Sequence, residues 1–209
     1  MEEVSLEGLA EVLVGRAGTA RTIVAVAGAP GSGKSTVAGA LVERLNGAVP
    51  GCAALLAMDG FHYDDALLKV LGRYRRKGAP DTFDVGGLRA TLSRLRANDE
   101  ESVCVPVFDR AIEIARAGAR MIPRETAIVV VEGNYLLLER APWASLRDLY
   151  DVTVMIEVDE AELRRRLTAR WEGYGLAPDA VAAKVDGNDL PNGAVVRRES
   201  AAAHYCLRT

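Results

Sequence analysis

Four short stretches in which nearly every side chain is apolar, residues 22–27, 53–58, 127–131 and 152–158, punctuate an otherwise mixed chain. In each, apolar residues occupy both alternating positions, the pattern of parallel strands covered by helices on both faces. Between them the period changes. Val37, Leu41 and Leu45 recur over 35–45, Leu88, Leu92 and Leu95 over 85–97, and Leu163 and Leu167 over 161–171, which predicts three amphipathic helices. Strands alternating with helices predict an α/β fold, a doubly wound, mainly parallel sheet of about five strands with right-handed crossovers. Two stretches break the rhythm. Residues 102–121 hold a β-rich run interrupted by Pro106 and then the alternating Ile112 and Ile114, which predicts a β-hairpin or edge insertion. Residues 171–198 contain Pro178, Pro191 and four glycines around short helical pieces, a pattern for a cover over a site. Residues 6–13 read as a short amphipathic helix, and there is no internal repeat. The expected organisation is one domain over 1–209, with the hairpin at about 102–122 and a helical lid at about 164–192.

Composition narrows the function. With 209 residues, 49% of them apolar and 26% charged, the chain is long enough for one ordinary core and too apolar for wholesale disorder. Lys and Arg number 26 against 29 Asp and Glu, a net charge of −3, so no global basic field points to nucleic acid. Charges interrupt every apolar run well before about 18 residues, so no membrane span is expected. The opening Met1-Glu2-Glu3-Val4 lacks the basic start of a secretory leader. Cys52, Cys104 and Cys206 lie far apart without metal-ligand spacing, which fits a reducing cytoplasm.

The strongest motif follows the first apolar run and precedes the first helix. Gly28-Ala29-Pro30-Gly31-Ser32-Gly33-Lys34-Ser35-Thr36 satisfies G-x-x-x-x-G-K-[ST], the phosphate-binding loop of a P-loop NTPase fold. Such a loop turns successive backbone N–H groups and a helix N-terminus onto phosphate oxygens. Lys34 is then expected on the β/γ-phosphates of ATP, and the Ser35 hydroxyl on Mg²⁺.

Open α/β sheets bind ligands beyond the carboxyl ends of their strands, and two acids fall there. Asp59 follows residues 53–58 and Glu132 follows 127–131, each with a glycine after it, Gly60 and Gly133. Either could hold the metal or accept a proton from an attacking hydroxyl. Asp59 is assigned as base and metal-side acid, Glu132 as the acid acting on magnesium, and the two roles are exchangeable on sequence alone.

Further strings carry a family resemblance. Met58-Asp59-Gly60-Phe61-His62-Tyr63-Asp64-Asp65, Arg76-Lys77-Gly78-Ala79-Pro80-Asp81-Thr82-Phe83-Asp84, Val105-Pro106-Val107-Phe108-Asp109-Arg110 and Val131-Glu132-Gly133-Asn134-Tyr135-Leu136 resemble elements of the uridine kinase, phosphoribulokinase and bacterial pantothenate kinase group. With Gly187-Asn188-Asp189-Leu190-Pro191-Asn192 added, the pattern is most similar to proteins named fructose transport system kinases, and it runs from about residue 22 to 206. The resemblance implies ATP-dependent phosphorylation of a hydroxyl on a small-molecule acceptor. It implies Asp59 as the catalytic aspartate, Asp84, Phe108 and Arg110 in the acceptor pocket, and His62 and Tyr63 near the transferred hydroxyl. After Asp109 this chain has Ala111-Ile112-Glu113 near where uridine kinases carry a base-contacting histidine, which turns the expectation from pyrimidines to sugars or polyols. Asp84 also stands where a helix cap is needed, and the two roles are compatible.

Residues 160–171 carry Arg164, Arg165, Arg166 and Arg170 against Glu160 and Glu162. Guanidinium groups that close over transferring phosphate stabilise its spread charge, and in P-loop kinases they come from the lid. Arg164 and Arg170 are assigned to that role, with Arg166 close behind. Asn188, Asp189 and Asn192 are read as adenine contacts or lid closure, with Asn192 placed on the nucleotide. A homodimer is left open. A GTPase is disfavoured: Asp84-Val85-Gly86-Gly87 precedes a helix instead of following a strand, and N-K-x-D is absent. A nucleoside or pantothenate-type kinase and a regulatory ATP-binding protein remain as rivals.

Overall fold

The computed structural model describes residues 1–16 and 20–209. In chain order the main elements are β1 (Glu2–Glu3), α1 (Leu6–Val14), β2 (Thr22–Gly28), α2 (Lys34–Ala48), β3 (Ala53–Ala57), α3 (Asp65–Val70), α4 (Val85–Ala97), β4 (Ser102–Asp109), β5 (Ile114–Pro123), β6 (Ile128–Gly133), β7 (Val152–Glu157), α5 (Glu160–Gly173), α6 (Pro178–Lys184), α7 (Leu190–Glu199) and β8 (Tyr205–Arg208). The four apolar runs form β2, β3, β6 and β7. All are parallel, in the order β1-β8-β7-β2-β6-β3. The sheet has six strands where about five were expected. The extra edge comes from β1, two exposed glutamates with no apolar signature, pairing with the four-residue β8.

Alternation along β2 sorts the core onto two faces. Val24 and Val26 meet Leu9 and Leu13 of α1 and Ala38, Leu41 and Leu45 of α2. Ile23, Ala25 and Ala27 meet Leu88, Leu92 and Leu95 of α4, together with Tyr135, Trp143 and Val196. Helix α4 begins where the leucine period begins. Its first turn is capped by the Asp84 carboxylate, which accepts from the Gly87 N–H at 2.8 Å.

Strands β4 and β5 form the antiparallel hairpin, with a register shift between Val105 and Val107 around Pro106. At its root one side chain bonds four carbonyls. Arg21, at the start of β2, donates from Nε to the Thr126 carbonyl at 2.8 Å, from Nη1 to Leu95 at 2.9 Å, and from Nη2 to Pro123 at 2.6 Å and Arg124 at 3.1 Å.

Helices α5, α6 and α7 surround a small core of Leu167, Val181 and Val185. Between α6 and α7 the backbone widens into a π turn, Val185–Asp189, closed by the Leu190 N–H on the Val185 carbonyl. Pro191, the next residue, brings a ring and no N–H to the helix start, and it crowds the carbonyl four residues back in a regular α-helix. Among the described residues no helix is long and apolar enough to cross a membrane.

Candidate active site

The glycine-rich loop leaves central strand β2 at Gly28 and enters α2 at Lys34. Its last glycine, Gly33, is the helix N-cap in the left-handed region, and among the described residues no side chain caps the first turn. That leaves a set of converging donors at the positive end of a helix dipole, a ready anion site. Leu167 of α5 packs over the loop, so close that a Cβ on Gly31 would lie 2.9 Å from Leu167 Cγ.

Around this cradle the acids converge from β6 and from the 3₁₀ turn Met58–Phe61 that follows β3. Two glycines permit the approach. A Cβ on Gly133 would overlap Met58, and one on Gly60 would come within 2.7 Å of the Pro106 carbonyl oxygen of the hairpin. Glu132 is only 4% exposed and accepts from Ser35 Oγ at 3.1 Å. Burial raises its pKa above the usual carboxylate range, Lys34 opposes the rise, and Asp59 adds to it. Lys34 is the mirror case: burial pulls it down, while the charges of Glu132 and Asp59 support its ammonium form. The converging N–H groups and Lys34 fit a triphosphate. The hydroxyl of Ser35 and the carboxylate of Glu132 are hard oxygen donors, which fit a divalent cation.

Asp59 lies across the crevice, and its Oδ2 is held by Arg110 Nη2 at 2.6 Å. His62 Nδ1 donates to the Asp59 carbonyl at 2.8 Å. The His62 ring sits 4.0 Å from Phe83 and 4.9 Å from Phe108, centroid to centroid, and the Arg110 guanidinium lies over Phe108 at 5.6 Å. Burial lowers the His62 pKa, against the pull of the Asp59 charge. Tyr63 is half-buried and tied to the same segment by its N–H on the Thr82 carbonyl at 3.0 Å. Of the expected acceptor residues, Asp59, His62, Phe108 and Arg110 form one contiguous group. Asp84 is spent in part on its capping bond.

The arginine helix sorts differently from its sequence reading. Arg164 ion-pairs with Asp186 at 2.6 Å, both side chains about half exposed. Arg166 is the one whose hydrogen bond reaches the loop, from Nη1 to the Ser32 carbonyl at 3.4 Å, while its Nε donates to Glu162 at 2.7 Å. Arg170 makes no ion pair among the described residues, and after burial its charge is one of those that lower the Lys34 pKa. Asn192 is buried, donates to Asn188 Oδ1 at 3.2 Å, and precedes Gly193, where a Cβ would lie 3.3 Å from Ala29 of the loop. Lys77 was read only within a basic run. In the structure it joins three pieces, with Nζ on Asp65 Oδ1 at 2.6 Å, on the Glu113 carbonyl at 2.6 Å, and over the Phe108 ring at 5.3 Å.

A phosphate cradle at the end of a central parallel strand, with carboxylates on neighbouring strand ends and an aromatic, charged pocket across from it, defines a P-loop kinase. The chain belongs to the phosphoribulokinase / uridine kinase family, whose model matches residues 23–192. It is 30% identical over 182 residues to a Schizosaccharomyces pombe protein provisionally named uridine kinase, covering 82% of this chain and 76% of that one. It is 33% identical over 153 residues to a pantothenate kinase of Sorangium cellulosum, covering 71% of this chain and 49% of the other. A crystal structure from Silicibacter sp. TM1040, provisionally named a fructose transport system kinase, superposes with a TM-score of 0.90 at 39% identity, covering 97% of this chain and 98% of that one. The protein is therefore an ATP-dependent phosphotransferase acting on a hydroxyl group.

Proposed function

We propose that the acceptor is a sugar or sugar-like polyol, phosphorylated by direct in-line transfer from ATP. The observation that carries this reading is the pairing of Asp59 with Arg110, whose guanidinium lies over Phe108, beside the His62 ring. An aromatic wall beside a charged, multidentate hydrogen-bonding pair suits the apolar C–H face and hydroxyl rim of a sugar. The likeness to the Silicibacter protein over nearly the whole chain supports it. So does Ala111-Ile112-Glu113 at the hairpin tip, which offers no imidazole to a pyrimidine. Nucleoside and pantothenate-type alcohols are the second reading, favoured by the names of other relatives.

In this mechanism the loop of residues 28–36 holds the β/γ-phosphates through its N–H groups and Lys34. Ser35 and Glu132, with Asp59 on the acceptor side, would hold Mg²⁺, which neutralises charge on the phosphates when bound. Asp59 takes the proton of the acceptor hydroxyl as its oxygen forms the new bond to the γ-phosphorus and the bond to the β-phosphate oxygen breaks. Arg110 keeps the Asp59 carboxylate turned into the pocket, and His62 holds its backbone. Residues of about 164–192 act as a lid over one catalytic unit, with Arg166 and Arg170 its cations and water excluded beneath them. The cytoplasm, where ATP is abundant, is the proposed site of action.

The test is ADP release by the purified protein with MgATP against ketoses, aldoses, nucleosides and pantothenate. A ketose or polyol should raise turnover well above the background without acceptor. Lys34→Ala should abolish turnover with every acceptor, and Asp59→Asn should lose transfer by about 10²-fold or more while still binding ATP. Stimulation by uridine or pantothenate alone would replace the sugar reading, and unchanged transfer in Asp59→Asn would remove Asp59 as the base.

A further inference from the structure

The π turn between α6 and α7 touches both halves of the site. Asn188 and Asp189 are adjacent on it and point to opposite partners. The Asn188 amide donates from Nδ2 to the Lys77 carbonyl at 3.3 Å, on the segment that leads into the acceptor pocket. Asp189 is 8% exposed, and its Oδ2 accepts from the Trp171 indole at 2.7 Å, on the arginine-bearing helix. Arg170, Lys184 and Lys34 are the cations whose charges reach the Asp189 carboxylate. Asn192, one turn on, bonds back to Asn188 and sits beside the glycine that packs on Ala29 of the phosphate loop. On the far side, the acceptor segment is itself tied down. Tyr135 donates to the Gly78 carbonyl at 2.6 Å, and the Lys77 ammonium holds the hairpin tip at Glu113. A continuous line of hydrogen bonds and packing thus runs from the lid helix through residues 188–189 to the loop and hairpin that frame Asp59.

We propose that Asn188 and Asp189 are positioning residues that clasp the lid to the acceptor loop, so that Arg170 is presented to the phosphates only when the acceptor side is closed. The inference rests on the kinase reading of the site and adds to it a device against wasteful ATP hydrolysis. Geometry favours a clasp over a nucleotide contact: both side chains already bond within the protein, one to each side, and neither is an unclaimed donor aimed into the cradle. Consecutive residues on a helical turn point well apart around its axis, so Asn188 and Asp189 can face different partners.

Two measurements test this. Hydrogen exchange of residues 77–83 should slow when MgATP is added to the wild type and should not slow in Asn188→Ala. Steady-state turnover should show the matching kinetic split. Asn188→Ala should keep the ATP KM within about twofold, lose transfer by about tenfold, and raise the ratio of acceptor-independent ATP hydrolysis to transfer. Trp171→Phe, which keeps the ring packing and removes the indole donor, should move the same ratio in the same direction. If Asn188→Ala raises the ATP KM in proportion to its lost turnover, the residue binds nucleotide and the clasp is overturned. If MgATP leaves residues 77–83 unprotected in the wild type, the clasp is also overturned. A wild type that gains the protection yet phosphorylates nothing keeps the clasp and overturns the transfer reading instead.

Discussion

Asp189 illustrates how much a single buried charge decides. Burial raises its pKa above the ordinary aspartate range, with the Trp171 indole and nearby cations acting against the rise. A carboxyl whose folded pKa exceeds its unfolded value favours folding while protonated, and that contribution is lost as pH climbs through the folded pKa. The native protein therefore gives up that stabilisation as pH rises above the ordinary aspartate range. Asparagine in its place can still accept from the indole. Asp189→Asn should melt a few degrees above wild type at neutral pH, with the gain shrinking towards about pH 4, while transfer is kept because the indole bond remains. Thermal melts across pH check the first half; a variant that melts lower at neutral pH would mean that the cations fully compensate the charge. Gly60 is decided by space in the same way. Gly60→Ala should cost about 1–3 kcal/mol in denaturant melts, because its Cβ meets the Pro106 carbonyl. Glycines beside the two acids were visible in the sequence; their reason, the close approach of Met58 and Pro106, belongs to the fold. Asp59, Glu132 and Lys34 were legible because each lies at a strand end or in a motif. The choice among arginines was not, since only the packing of Leu167 on the loop says which face of α5 looks inward.

At the scale of elements, α5 and the hairpin flank the crevice on two sides, through Leu167 on the phosphate loop and Arg110 on Asp59. Arg164 and Asp186 form an exposed pair, which is worth about 0–1 kcal/mol at most. Arg166 reaches the loop backbone. Turnover in Arg164→Ala should stay within about threefold of wild type, whereas Arg166→Ala should fall about tenfold or more; comparable losses in both would return Arg164 to the phosphates. Helix periods gave α4 its full observed span of Val85–Ala97, because a leucine stripe against a sheet is a local pattern. The π turn was invisible for the opposite reason. Asn188-Asp189 and Pro191-Asn192 read as turn chemistry in any context, and only the long-range bond to Lys77 distinguishes the turn.

For the whole molecule, the sheet order places β2 between β6 and β7, where the winding reverses, and the cradle opens at that switch point. Strands β1 and β8 escaped the sequence reading for different reasons: β1 is two exposed glutamates at the sheet edge, and β8 buries only Cys206 and Leu207, too short a run to show a pattern. Ligand linkage gives a global test. At a concentration 100 times its Kd, MgATP should stabilise the native state by about 2.7 kcal/mol, and Lys34→Ala should abolish most of that rise in Tm. A variant with an undiminished shift would place the nucleotide elsewhere.

Arg21 gives the hairpin the mechanics of a cantilever. Four carbonyls fix its root to β2 and α4, and the tip is steadied by the Lys77 and Arg110 contacts. A beam clamped at one end deflects most at the other, so slack at the base is magnified where Arg110 meets Asp59. A residue at the opposite end of the sheet from the phosphate loop thereby bears on where Arg110 stands beside Asp59.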